Sequence, residues 1–170
     1  MSQPGFNDRL VRDLEAGEIR DGDIRYLMLR ADALMGVLRR LPHGMRNTVL
    51  AAFKDSIVEH GGRSAQGYQA ALPADQRHRF LDIIAATAPQ LGWGRWHFTH
   101  VSAEGLTLEV HNSPFAKGFG RAEHCVCHPI AGMLTAVGGM VLGRPVIAEE
   151  THCGAHQDSH TCRFSAKVTS

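Results

Sequence analysis

Every cysteine of this chain lies between positions 125 and 162, and the spacing of three of them around one acidic residue constrains the fold most. Cys127 is followed by Glu150 twenty-three residues on, Cys153 three later and Cys162 nine after that, each on a different local element. Three soft thiolates and a carboxylate suit Zn²⁺, and a shell closed by four protein ligands is the mark of a structural site. Such a set outweighs the metal charge by about two units, so Arg144, Arg163 or backbone N–H groups are expected to compensate. Two alternatives stay open. His152, His156 and His160 lie in or beside the loop and could exchange for a Cys or the Glu. Cys125 competes as a ligand if the residues before Pro129 are extended, and points away if they are helical.

At 170 residues, 44% hydrophobic and 21% charged, with a formal net charge of +1, the chain reads as one soluble globular domain. The charge balance argues against a nucleic-acid partner. The N-terminus lacks an apolar signal core, and the longest apolar run, Ile130 to Gly143, is too short and glycine-rich to span a bilayer, so the expected location is cytoplasmic. In that reducing compartment clustered cysteines read as ligands rather than disulfides.

Taken in order, residues 1–22 read as a short helix with frayed ends, and Ile24 to Arg30 as a strand partly buried on both faces. From Ala31 the period is helical, with Leu34, Val37, Leu38 and Leu41 on one face and Pro42 as the stop. Met45, Val49, Phe53 and Ile57 form a second stripe, which Gly61-Gly62 is expected to end. Pro73 opens a third helix burying Phe80, Ile83, Ile84, Ala88 and Leu91, with Pro89 near its end.

Beyond Gly92 the period becomes two, giving a hairpin of residues 96–101 and 106–110, then a turn-rich stretch from Asn112 to Gly120. Pro129 opens a long helix, smooth at Gly132, Gly138 and Gly139, which Gly143-Arg144-Pro145 closes. In the two last strands Val146, Ala148 and Glu150 share one face, and Cys162, Phe164, Ala166 and Val168 another. Glu150 and Cys162 therefore meet on the apolar side of a hairpin, where a lone carboxylate is costly and a metal satisfies it.

The run from Cys127-His128-Pro129-Ile130-Ala131-Gly132 to Gly143, the Glu150-x-x-Cys153 pair and the Cys162-x-Phe164 ending resemble the 4-vinyl reductase domains. That family includes bacteriochlorophyll 4-vinyl-reductase-associated proteins, sensory domains of phenol- and xylene-responsive transcription activators, and stand-alone hydrocarbon-binding proteins. The resemblance implies Cys127, Glu150, Cys153 and Cys162 as the zinc ligands. The order of elements, a helical part, a hairpin, a long helix and a second hairpin, suggests an α+β domain with an antiparallel sheet packed against helices. The resemblance implies the same type of mixed fold as the core subunits of TRAPP tethering complexes, and a homodimer. One departure is local: the step from Cys153 to Cys162 is nine residues where the family has eight, and Gln157-Asp158 stands where Gly-Asp is expected. The expected organisation is a single domain over 1–170, mainly helical to residue 92, then hairpin, long helix and zinc-binding hairpin.

Trp93, Trp96, Phe98 and Phe115 are candidates to line a hydrophobic ligand pocket, with core packing as the alternative. His78, His97 and His100 are candidates for a polar contact to a phenolic or carboxylate group. Cys125-Val126-Cys127-His128 fails the haem-attachment pattern, which needs two residues between the cysteines. No Ser-His-Asp pattern, phosphate loop or dinucleotide fingerprint is present, so catalysis is not expected. The leading reading is a zinc-containing, non-catalytic domain that binds a small hydrophobic or aromatic molecule and signals through a partner protein. The alternatives are an accessory protein or enzyme of tetrapyrrole (bacteriochlorophyll) synthesis, with a tetrapyrrole as ligand, and a structural interaction module.

Overall fold

Glycines placed five residues apart decide how the chain begins. The computed structural model describes residues 5–157 and 159–169; Asp158, half of the Gln157-Asp158 departure, lies outside the described residues. After a one-turn helix α1 (Phe6–Arg9), three short antiparallel strands follow, β1 (Val11–Asp13), β2 (Glu18–Asp21) and β3 (Ile24–Tyr26). Their turns use Gly17 and Gly22, at φ of 67° and 60°, a backbone that favours glycine. Of the helix expected over 1–22, residues 1–4 lie outside the described residues, and the rest is a hairpin except at α1. Ile24 to Arg30 is a strand only as far as Tyr26, and Leu27, Met28 and Leu29 beyond it are exposed rather than buried.

Helix α2 (Ala31–Arg40) stops before Pro42 as expected, but its buried stripe is Met35 and Leu38, and Val37 faces out. In α3 (His43–Ser56) Leu50 is buried, whereas Met45 and Val49 are exposed. Gly61-Gly62 do not end the helix. A π-helical turn (Ile57–Gly61) runs directly into α4 (Gly62–Ala70). The two glycines serve packing instead: a Cβ at Gly61 would lie 2.7 Å from Met133 Cε, and one at Gly62 would lie 3.2 Å from Ala136 Cβ. A 3₁₀ turn (Ala74–Arg79) leads into α5 (Phe80–Gln90), which buries Phe80, Ile84 and Ala88 and carries Pro89 in its last turn.

The C-terminal part follows its alternation closely. Strands β4 (Arg95–Val101) and β5 (Gly105–His111) form the expected hairpin. The stretch read as turns holds a short helix, α6 (Pro114–Phe119), started by Pro114 and capped by Ser113, whose Oγ accepts from Ala116 N. Helix α7 (His128–Leu142), β6 (Val146–His152), the single turn α8 (Gly154–Gln157) and β7 (Thr161–Val168) complete the chain.

The main sheet is antiparallel in the order β4-β5-β7-β6. Leu106, Leu108, Val110, Val146, Ala148, Phe164 and Ala166 are buried on one face. The other face is polar, with Arg163 paired to Glu109 across the strands at 2.8 Å. Helix α7 lies between the buried face and the layer of α3 and α4. Its glycines set that spacing: a Cβ at Gly132 would be 2.4 Å from the Lys54 carbonyl, and one at Gly138 would be 3.1 Å from Val146 Cγ1. One continuous core reaches from Met35 to Ala166. No helix among the described residues is long and apolar enough to cross a membrane.

Candidate metal centre

Four separate elements deliver the cluster. Cys127 is the residue at the mouth of α7, where its carbonyl accepts from Ile130 N and Ala131 N. Glu150 sits on the inner face of β6 because Val146 and Ala148 set that parity. The register then shifts between Glu150 and His152, and this bulge turns the chain so that Cys153 follows on the inside. Cys162 enters β7 opposite Val110. Ligand atoms of Cys127, Glu150, Cys153 and Cys162 all lie within 4.8 Å of one another.

The three sulfurs are buried, and none forms a disulfide. The Cys127 and Cys162 sulfurs are 3.7 Å apart, far beyond a disulfide bond of about 2.05 Å. Glu150 Oε2 accepts from Cys127 N at 2.8 Å. Its other oxygen, Oε1, is buried and has no hydrogen-bond partner among the described residues. A carboxylate oxygen left this way costs free energy unless a cation meets it.

The electrostatics point the same way. Burial, reinforced by the charge on Cys153, pushes the Glu150 carboxyl up to about 8. Hydrogen bonds from Cys125, Cys127 and Cys162 pull the Cys153 thiol below its ordinary range. Those donors hold their protons more tightly: Cys127 through its bonds to Cys153 and Cys162 and its burial, Cys125 through its bond to Cys153 and its burial. At Cys162 the bond from Cys127 lowers the value, but the bond to Cys153 and burial outweigh it and leave it at about 12. Without a cation, one negative charge is shared among five groups. A metal ion allows all of the ligands to ionise.

Compensation comes from backbone N–H groups, as Gly154 N donates to Cys162 Sγ at 3.3 Å and Cys127 N to Glu150. Neither arginine takes that part. Arg163 is committed to Glu109 on the outer face and Arg144 is exposed beyond α7. Ser113, which no sequence pattern singles out, lies 3.2 Å from Cys127 Sγ and is almost fully buried. None of His152, His156 and His160 belongs to the cluster among the described residues. Cys125 lies outside any helix or strand, half-buried, with its sulfur 3.6 Å from the Glu150 carbonyl.

A separate cavity of 330 Å³ opens between β3, the π-helical turn, α4, α5 and the start of β4. Trp93 and Trp96 line it, together with Tyr26, Tyr68, His60 and Met133. Both tryptophans and both tyrosines of the chain are therefore here, while none of its seven phenylalanines is among the lining residues. Phe115 is a core residue edge-on to Trp93 at 5.2 Å, and Phe98 is half-buried against the same core. His78 is exposed on the 3₁₀ turn, and His97 and His100 are exposed on β4; none of the three lines the cavity. Tyr26 falls in the alternation of its strand without being marked as a cavity residue, and Tyr68 and His60 carry no periodic signal.

Residues 106–168, which contain the whole cluster, match the family model of the 4-vinyl reductase domain, so the resemblance in the C-terminal motifs is shown there. The phenol-responsive sensory domain of the transcription activator PoxR, solved with phenol, superposes with a TM-score of 0.75 at 20% identity, over 94% of this chain and 85% of that one. A vinyl-4-reductase family protein from Methanocaldococcus jannaschii gives a TM-score of 0.50 at 11% identity, over 85% of this chain and 98% of that one. A trafficking protein particle complex subunit 3 from Naegleria fowleri, covalently bound to palmitic acid, gives 0.53 at 13%, over 82% and 95%. At these identities the likeness is one of fold, and it bears out the expected α+β architecture. No curated protein sequence matches the chain.

Proposed function

We propose, from a chain whose C-terminal part is a 4-vinyl reductase domain, that it is a cytoplasmic sensing or delivery domain in which structural zinc closes the C-terminal lobe and a small aromatic molecule occupies the tryptophan-lined cavity. The observation that carries the ligand reading is the gathering of every tryptophan and tyrosine around one cavity. Such side chains offer an apolar body with a polar edge, which suits a ring bearing a hydroxyl. An apolar cavity of about 150 Å³ suffices for benzene, so 330 Å³ holds a one-ring ligand with room to spare. The fold shared with a phenol-responsive domain supports the same class.

Zinc is supported by the donor set and its spacing. A tetrahedron with zinc–sulfur bonds of about 2.3 Å has edges of about 3.8 Å, against 3.7 Å between the Cys127 and Cys162 sulfurs. Four protein donors leave no open coordination position, which favours a structural over a catalytic role. The unpaired Glu150 oxygen completes the set.

The domain would act as a homodimer through the apolar side chains that α2 and α3 leave exposed, Val37, Met45 and Val49. Native mass spectrometry of the purified full chain, without chelator, tests the reading. A dimer with one zinc per chain and a gain of one phenol mass per chain on titration is expected. Metal-free chains that take up no phenol overturn it, and a co-purifying tetrapyrrole replaces the aromatic ligand with a pigment.

A further inference from the structure

A second cavity, of 490 Å³, opens onto the carboxylate edge of the metal cluster, between α3, the start of α7 and β6. Glu150 is the one cluster member among its described lining residues, and Cys125 and His128 stand with it. Cys125 lies outside the four and is half-buried, whereas Cys127, Cys153 and Cys162 are buried. Its sulfur is 3.6 Å from the Glu150 carbonyl and within hydrogen-bonding reach of Cys153. The Nδ1 of His128 is buried with no hydrogen-bond partner among the described residues, as is Glu150 Oε1. Thiol, imidazole and carboxylate thus share one wall, and these are the donor types that zinc accepts.

The charge around the opening favours a cation. Asp55 and Glu149 line it as exposed carboxylates, and neither has a hydrogen-bond or ion-pair partner among the described residues. The one ammonium in the described lining, on Lys54, donates to the Ala148 carbonyl at 2.7 Å. An excess of one sign of charge around a cleft raises the local concentration of the opposite ion. A cation arriving here meets the Cys125 thiol before the buried three, because Cys127, Cys153 and Cys162 are not among the described lining residues. A soft thiolate suits zinc better than the carboxylates at the opening, so the ion is drawn inward.

We propose that this cavity is the route by which the metal ion enters and leaves, with Cys125 as a transfer ligand that holds the ion on its way and has no place in the final four. The proposal rests on the reading of the cluster as a metal centre. On entry Cys125 gives its thiol proton to water as its sulfur binds the ion. As Glu150, Cys127, Cys153 and Cys162 close around the ion, the Cys125–metal bond breaks and the sulfur takes a proton back. No oxidant or reductant is needed. Such a ligand leaves the affinity of the finished site unchanged and sets only the rate at which the ion comes and goes.

The test is displacement of zinc from the loaded full chain by excess cadmium, followed in time by native mass spectrometry. Cadmium takes the same thiolates and is heavier, so each chain reports which ion it holds. Cys125→Ser should still hold one zinc per chain and melt like the parent, yet exchange at least tenfold more slowly. Asp55→Asn combined with Glu149→Gln should slow exchange at low ionic strength, and its difference from the parent should vanish in high salt. Exchange by Cys125→Ser at the parent's rate overturns the proposal. So does a Cys125→Ser chain that holds no zinc, since Cys125 is then a resident ligand. A parent chain that holds no zinc removes the metal centre itself and the route with it, a result distinct from either.

Discussion

Cys127 and Glu150 are joined through one carboxylate oxygen and not the other: Oε2 accepts from the Cys127 amide at 2.8 Å, and Oε1 is buried without a hydrogen-bond partner among the described residues. The amide orients the carboxylate before any metal arrives, so the ligand that is hardest to desolvate is also the most tightly positioned. Glu150→Gln keeps the shape and removes the charge. It is expected to weaken metal binding by more than the tenfold to hundredfold typical of losing an outer-shell partner, while Cys153→Ala should abolish it and lower the melting temperature, since binding energy in such sites is folding energy. Metal content by elemental analysis, with thermal melts, checks both, and unchanged values in Cys153→Ala would remove the clasp.

The pH dependence separates the loaded from the metal-free chain. In the metal-free form Glu150 is raised to about 8, so its contribution is present below the ordinary carboxylate range and is lost as pH rises through that value. Cys153 is lowered, so its contribution is present above the ordinary thiol range and is lost only as pH falls. Between pH 5 and 8 the two oppose each other, and His128, lowered by burial, leaves a shallow loss of metal-free stability as pH falls. With metal bound the three thiolates stay ionised where the unfolded chain is protonated, so stability should fall by about 4 kcal/mol for each unit of acidification in that window. Denaturant melts of both forms across pH 5 to 8 test this, and equal slopes would sink it.

Because both tryptophans line the aromatic cavity, intrinsic fluorescence reads its occupancy directly. Phenol is expected to change the emission saturably. Trp93→Ala should weaken phenol binding by about tenfold, the equivalent of about 1.4 kcal/mol, without altering metal content. Phenol affinity that is the same in parent and variant would dissociate the cavity from the ligand.

Two glycines of α7 should respond oppositely to alanine. At Gly132 the added Cβ would strike the Lys54 carbonyl at 2.4 Å, forcing α3 and α7 apart, with an expected loss of about 1–3 kcal/mol. At Gly139 its nearest neighbour is the Arg144 carbonyl at 3.6 Å, an ordinary contact, so the helix propensity gain of about 1 kcal/mol should show. Chemical denaturation of the two variants decides, and a stabilised Gly132→Ala would contradict the packing of α7 against α3.

The exposed apolar positions of α2 and α3 predict the oligomer. Met45→Glu combined with Val49→Glu should yield a monomer by sedimentation with the cluster still loaded. A parent chain that is already monomeric would end the dimer reading.

Much of the C-terminal part was legible because period-two alternation is strict there: Glu150 and Cys162 could be placed on one buried face before any coordinates. The α+β class followed from the same pattern. The N-terminal third was misread where one residue type had two uses. Gly61 and Gly62 look like helix terminators but are contact points for Met133 and Ala136, information held only by the partner helix. Val37, Met45 and Val49 have the spacing of a core stripe, and that spacing alone does not tell a buried face from an exposed one. Tyr26, Tyr68 and His60 come from three separate segments, and only the fold brings them to Trp93 and Trp96.

Helix α7 carries a member of the candidate metal cluster at its mouth, Cys127, and a wall residue of the aromatic cavity, Met133, six residues later, about 9 Å along its axis. A helix is stiff over that distance. As a beam, it would be loaded near its middle by a guest seated against Met133 and pinned at one end by a cation held at Cys127. The free end, at Gly143, leads into β6, and there a displaced helix would meet the edge of the sheet.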